Sequence, residues 1–314
     1  MLVSILHEID LTYSVPTTEF AMAFRVSPRS NSDQTLRNFK IMIAPETPIL
    51  AYTDWQENRV HQFTISGAHD RVIICAKSTI DVHPRRWRLD ELTDSFPIVQ
   101  LGHRCQDYLL PHGPVQFDPR LEQLAKETGL TNEKSLSKVL KAVMVSSPKL
   151  VASEQMAPQN GNKVSEVLTD GPLEAEDNTC VALSLLRLLG IPARYVSGYL
   201  FGCWDNEYDN HVWLQAFTPS LGWVGLDPTI GQQTGDSHIA VSIGRSHLDV
   251  PQQRVVFRGE ASQEISVRIR KQSTQKDCYG ELSYGQRIND RQRINLMSRD
   301  RALSADSLEQ QMME

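Results

Sequence analysis

The side chains with the most reactive chemistry are five cysteines, Cys75, Cys105, Cys180, Cys203 and Cys278, in a chain of 314 residues that also holds nine histidines. The cysteine count is odd and no Cys-x-x-Cys pair occurs, which argues against a disulfide framework and against a structural zinc site. Each cysteine alone reads as a small packed residue. Two other segments set titratable groups among aromatic ones. DNHVWLQAF (209–217) carries His211 and Trp213, and GWVGLDPT (222–229) carries Trp223 and Asp227. An imidazole and a carboxylate are two parts of an acyl-transfer triad, and the third is a nucleophile whose proton the imidazole takes. Taken singly, both have ordinary readings. His211 can be a strand histidine bonded to a backbone carbonyl, and Asp227 before Pro228 a turn residue.

Such groups need rigid elements to hold them. The first hundred residues alternate with period two, as strands do. Phe20, Met22, Phe24 and Val26 alternate with Ala21, Ala23 and Arg25. Phe39, Ile41 and Ile43 repeat the pattern, as do 59–65 and 71–82. Pro28 to Asp33 and Gly67 to Asp70 read as turns. This predicts an antiparallel β-domain over 1–115, of sandwich type. From about residue 116 the period becomes helical. Asp118 and Pro119 suit an N-cap and first helical position, and Asn132 a second cap. Leu183, Leu186 and Leu189 mark the strongest helix, 175–189, which Gly190 ends before Pro192. Strands are expected again at 193–200, 211–218, 223–226 and 264–269. The fold class is α+β, with a core over 116–273. Residues 153–163 read as a polar loop, and 274–314 as a polar, flexible tail.

The formal net charge of −6 excludes the basic surface a nucleic-acid partner needs. No apolar run is long enough to cross a bilayer, and the early Glu8 and Asp10 do not fit a signal peptide. No nucleic-acid or membrane partner is expected, and the location expected by default is cytoplasmic.

GIPARYVSGYL (190–200), DNHVWLQAF, GWVGLDPT, HIAVSIGR (238–245) and LDVP (248–251) resemble, in order and spacing, the bacterial transglutaminase-like family. TDWQENRVHQFTI (53–65) is similar to the β-domain that precedes the core in one branch of that family. The likeness runs over roughly residues 5 to 270. It implies a papain-like core in which a cysteine opens a helix packed on an antiparallel sheet, His211 is the base and Asp227 orients it. A helix N-terminus lowers a thiol pKa, and the histidine then shuttles the proton. The substrate implied is an amide or peptide bond, of a peptide or protein, attacked to give a thioester. Hydrolysis is favoured over transfer to an amine. Trp213 and Trp223 are expected to pack, with a part in the wall of a substrate groove. Arg194 and Gly198 are expected to be structural, and His238, Arg245 and Asp249 match the family without an assigned role. The acidic loops of calcium-dependent animal relatives find no counterpart, so neither metal nor cofactor is expected.

The sequence departs from the family at its centre. Counting back from Gly190, the nucleophile position falls on Ala175, with Glu176 and Asp177 matching the acidic pair that follows the cysteine. Leu173 stands where the motif has glycine, with Gly171 nearby. Three accounts compete. The nucleophile has been replaced to give an inactive form, the chain is a natural pseudoenzyme that binds peptide, or another cysteine acts. Cys180 lies five residues on, rotated by about 140° and about 7.5 Å along the axis, and so faces away. Cys203 is a weaker rival. Retention of His211, Asp227 and the acidic pair favours the first account, while Leu173 favours the second.

Overall fold

The computed structural model describes residues 1–84, 87–99, 101–152, 173–201, 208–258 and 263–271. The polar loop 153–163, Gly171, Cys203, Cys278 and the tail from 274 lie outside these residues.

The N-terminal part is one antiparallel sheet built on two long strands, β1 (Leu2–Phe24) and β4 (Arg59–Val82), with β2 (Gln34–Ala44) and β3 (Leu50–Thr53) on the outer side of β4. The expected turn at Gly67–Asp70 does not break the chain. The two runs on either side of it are one 24-residue strand. The register slips instead at Thr12/Thr17 and Thr17/Glu19 of β1, where Thr17 contacts the ring of His69. Extra residues on one strand bend and twist a sheet. The bend lets Ile9, Leu11 and Tyr13 from one half of β1 share a buried core with Phe20, Met22 and Phe24 from the other. The expected layered core is thus made by one sheet folding over its own apolar face.

Helices follow. Asp118 caps α1 (Pro119–Glu127), its side chain accepting the Arg120 N–H. Asn132 does not cap the next helix. It ends a short 3-10 turn, and α2 begins later, at Leu136–Ala152. The third helix, α3 (Leu173–Leu188), ends at Gly190 with φ +75°, the left-handed conformation glycine adopts without strain. A second antiparallel sheet runs β8-β7-β6-β5-β9. Its strands are β5 (Ala193–Phe201), β6 (Tyr208–Thr218), β7 (Gly222–Asp227), β8 (Gln232–Gln233) and β9 (His238–Gly244). The helices cover one face through Leu183, Leu186, Leu214, Ala216 and Leu226. Among the described residues no helix is long and apolar enough to cross a membrane.

The chain then returns to the first sheet. β10 (Gln253–Arg258) pairs with Glu19–Phe24 of β1, and β11 (Gln263–Lys271), which contains the expected strand 264–269, pairs with Ile5–Tyr13. The core is thereby inserted between strands of the N-terminal sheet.

The two sheets are joined in two ways. Val3, Ile5, Ile80, Val82 and Ile269 pack on Tyr199, Ile239 and Val241. Side-chain amides also close the free edge of β9. Asn58 accepts the Ile243 N–H and donates to the Ile243 carbonyl, both at 2.8 Å. Gln34 does the same for Ala240, at 2.8 and 2.9 Å. Each amide replaces one residue of a missing strand, as buried backbone groups require.

Replacing Asn58 by leucine leaves a buried N–H and a buried C=O without partners, which costs roughly 3 kcal/mol. Urea unfolding of Asn58→Leu is expected to show the loss. An unchanged midpoint would mean that the amide does not seal the edge.

Candidate functional site

Ala175 is buried in the first turn of α3. From Ala175 to Leu188 the helix rises about 20 Å, and from Ala193 to Gly198 the returning strand β5 covers about 17 Å. Gly198 pairs with His211 on β6. Helix and strand are joined by the tight turn at Gly190, so the helix start and His211 come level.

β6 and β7 pair with Leu214 opposite Leu226. His211 and Asp227 are therefore diagonal neighbours on the same face, a separation that a long side chain spans. Their contact is short, with His211 Nε2 2.6 Å from Asp227 Oδ2. Asp227 has no exposed surface, and His211 is 7% exposed. Oδ1 accepts the N–H groups of Thr229 at 3.0 Å and Ile230 at 3.4 Å. Burial alone would raise the Asp227 pKa, but the hydrogen bonds from His211 and a second histidine, His238, outweigh it and hold the carboxyl at about 2. The ionised carboxylate only accepts, so His211 Nε2 carries the proton and Nδ1 holds the lone pair. That is the tautomer a general base needs.

His238 is the group the sequence singled out without a role. Its Nε2 lies 3.1 Å from the same Asp227 oxygen. On a flat sheet β9 and β7 would be about 14 Å apart, three strand spacings. The contact means that the sheet curls until the start of β9 lies across its concave face from the end of β7. Gly198 makes room for this. A Cβ there would sit 2.1 Å from the Ile239 carbonyl oxygen and 2.6 Å from the Trp213 ring.

Trp213 is 2% exposed. It lies near-parallel to the His211 ring and edge-on to His238, with centroids 6.2 and 5.2 Å away. Trp223 is covered by the Arg194 guanidinium at 4.2 Å and flanked by Tyr108 and Phe217. Both tryptophans are packed among other side chains, and Trp213 is almost fully enclosed. Arg194 is held by Gln215, and burial lowers its pKa to about 10.

Glu176 is buried too, with Oε1 2.8 Å from His247 Nδ1. That is ion-pair distance, although the approach is off the line of a hydrogen bond. His247 is carried by a tight turn that Asp249 closes by gripping Arg245 through both carboxylate oxygens. For Asp177, burial and then Glu176 raise the carboxyl pKa.

Cys180 does not supply a nucleophile. It is 4% exposed, and burial, followed by Glu176 and Asp177, pushes its thiol far above the range where a thiolate forms. Cys105 is likewise buried and raised. His211, Asp227 and His238 are also residues of metal-ligand type, with ligand atoms within 4.8 Å of one another. However, the Gly235 N–H points at His238 Nδ1, so the proton is on Nε2 and the lone pair a metal would need is not.

Because Asp227 has a lowered pKa in the folded state, its contribution to stability is complete above pH 4. It is lost as the pH falls through about 2. The shift corresponds to roughly 2 kcal/mol. Urea midpoints should fall between pH 4 and 2, and fall less in Asp227→Asn. Equal falls would show that the charge is not the cause.

Residues 3–81 match the bacterial transglutaminase-like N-terminal region, and 122–228 match the transglutaminase-like superfamily core. An uncharacterised protein of Mycobacterium leprae is 25% identical over 275 residues, covering 84% of this chain and 96% of its own. A protein-glutamine gamma-glutamyltransferase of Pseudomonas aeruginosa is 38% identical over 53 residues, 14% of this chain and 8% of its own. A solved candidate cysteine protease from Cytophaga hutchinsonii shares the fold, with TM-score 0.65 and 18% identity, over 88% of this chain and 93% of its own. The chain belongs to the transglutaminase-like superfamily, in the bacterial form with its own N-terminal β-region.

Proposed function

We propose that this chain is a transglutaminase-like acyl-transfer protein whose site is assembled except for its sulfur. It binds an amide or peptide segment of a protein at the start of α3 and does not cleave it. The reading rests on one observation above others: a fully buried aspartate, 2.6 Å away, holds His211 in the basic tautomer, and the pairing of β5 with β6 brings that histidine level with a helix start that carries alanine. A buried, ionised aspartate held by a histidine costs desolvation energy and serves little as packing. It suits a base awaiting a proton from position 175.

With a cysteine there, the thiolate would sit at the positive end of α3 and attack the amide carbonyl. His211 would take the thiol proton and return it to the leaving amine, and water would resolve the thioester. Ala175 has no atom to begin this sequence. The chain is therefore the inactive form of a cysteine hydrolase, with hydrolysis preferred to transfer onto an amine. The second reading is a natural peptide-binding pseudoenzyme. It draws on Leu173, which replaces the family glycine two positions before the nucleophile.

Alkylation of Ala175→Cys near neutral pH, followed residue by residue by mass spectrometry, tests the assembly. The introduced thiol should react at least about tenfold faster than Cys180, and lose that advantage when His211→Ala is added. Peptide turnover by Ala175→Cys would favour the enzyme reading, and tight binding without turnover the pseudoenzyme. Labelling no faster than at Cys180 would remove the triad.

A further inference from the structure

We propose that His238 is a positioning residue for the His211–Asp227 pair. It is a neutral imidazole whose Nε2–H is held on Asp227 Oδ2, so that the carboxylate cannot turn away and His211 keeps Nδ1 as its basic nitrogen. The proposal rests on the acyl-transfer reading above and adds to the pair a third member that the sequence motif does not require.

The proton assignment comes from the far side of the ring. Gly235 donates its backbone N–H to His238 Nδ1 at 3.1 Å, and Ser237 Oγ lies 3.3 Å from the same nitrogen. A nitrogen that accepts a backbone N–H holds no proton, so the proton of the neutral ring is on Nε2. That N–H points at Asp227 Oδ2, 3.1 Å away. Charging the ring would require a proton on Nδ1 and would break the bond from Gly235. The backbone turn between β8 and β9 therefore fixes both the tautomer and the neutrality of His238.

The effect on Asp227 is saturation. Oδ2 receives two imidazole N–H groups, and Oδ1 receives the Thr229 and Ile230 N–H groups. A carboxylate offers about four lone-pair sites. With all four used, rotation breaks bonds that no water replaces, since Asp227 is fully buried. Without His238, Oδ2 would have His211 alone, and the carboxylate could pivot and release the His211 tautomer. Trp213 reinforces the arrangement by packing against both rings. The titratable groups beside position 175 are Glu176 and Asp177 on α3. The first is paired with His247, and the second has a pKa raised chiefly by burial.

The N-terminal sheet takes part through β9. His238 is two residues before Ala240, whose N–H and C=O are both held by the Gln34 side chain. The strand that delivers His238 is thus clamped from the other sheet.

The test uses the full chain labelled with 15N-histidine and long-range 1H–15N spectra near neutral pH. His238 and His211 should each show the Nε2–H tautomer. In His238→Leu, His211 should become a mixture of tautomers. In the Ala175→Cys background the same change should slow alkylation of the introduced thiol by about tenfold, the size of one lost hydrogen bond to a charged group. His238→Gln places an amide N–H at similar reach and should restore the tautomer and most of the rate. A purely packing role would be rescued no better by glutamine than by leucine.

An unchanged His211 tautomer in His238→Leu overturns the proposal. It leaves fast alkylation of Ala175→Cys, and with it the acyl-transfer reading, intact. Should His238→Leu not fold, the spectrum of the parent chain decides. A charged His238, or an Nδ1–H tautomer that shifts on adding Zn²⁺, overturns the proposal, the latter by making the cluster a metal site.

Discussion

A carboxylate with no exposed surface must be paired or it will not stay ionised, and the architecture around Asp227 follows from that need. Its four donors come from four places: β6, the turn after β7, the following residue in that turn, and the start of β9. Bringing β9 to β7 requires a curled sheet. Curling requires that the middle strand present no side chain at Gly198, where the Trp213 ring crosses. The helix that carries position 175 then packs on the outer face of the same strands. A single buried charge thus links the glycine of one motif, the tryptophan of a second and the histidine of a third.

The N-terminal sheet acts on this arrangement as a clamp. All seven residues of β9 are buried, yet among the described residues the strand has a sheet partner on one side only. Exposed strand edges invite further pairing. Gln34 and Asn58 fill that edge with amide groups, which have the donor–acceptor pattern of a peptide bond. His7 adds a contact to the Tyr199 hydroxyl at 2.8 Å, and burial lowers its pKa to about 4, so the ring stays neutral in the interface.

Local signals in the sequence revealed the elements well. Gly190 and Asp118 are found where their backbone chemistry places them, because a left-handed residue and a capping carboxylate act over one turn. Asn132 misled for the same reason. A cap residue is a local preference, and the chain there preferred a 3-10 turn. The long strand through Gly67 was hidden because glycine and aspartate signal a turn, while the pairing that carries β4 through the bend is set by β1, far away in sequence. At the site, the motif named His211 and Asp227. It did not reveal the second donor, since the His238–Asp227 contact depends on the curvature of the whole sheet. The pairing of Glu176 with His247 was hidden likewise, as it joins a helix start to a turn that follows β9.

The order in which β1 finds its neighbours has a consequence for how the chain is made. β4 covers one edge of β1, and among the described residues the other edge is covered by β10 and β11, at Gln253–Arg258 and Gln263–Lys271. A chain leaving the ribosome from its N-terminus must therefore build the whole inserted core while the first strand is still half paired. Polar and charged side chains at Glu8, Asp10, Thr12 and Glu19 along β1 fit a strand that waits in water for its last partners. A strand synthesised before the inserted core is thus finished after it.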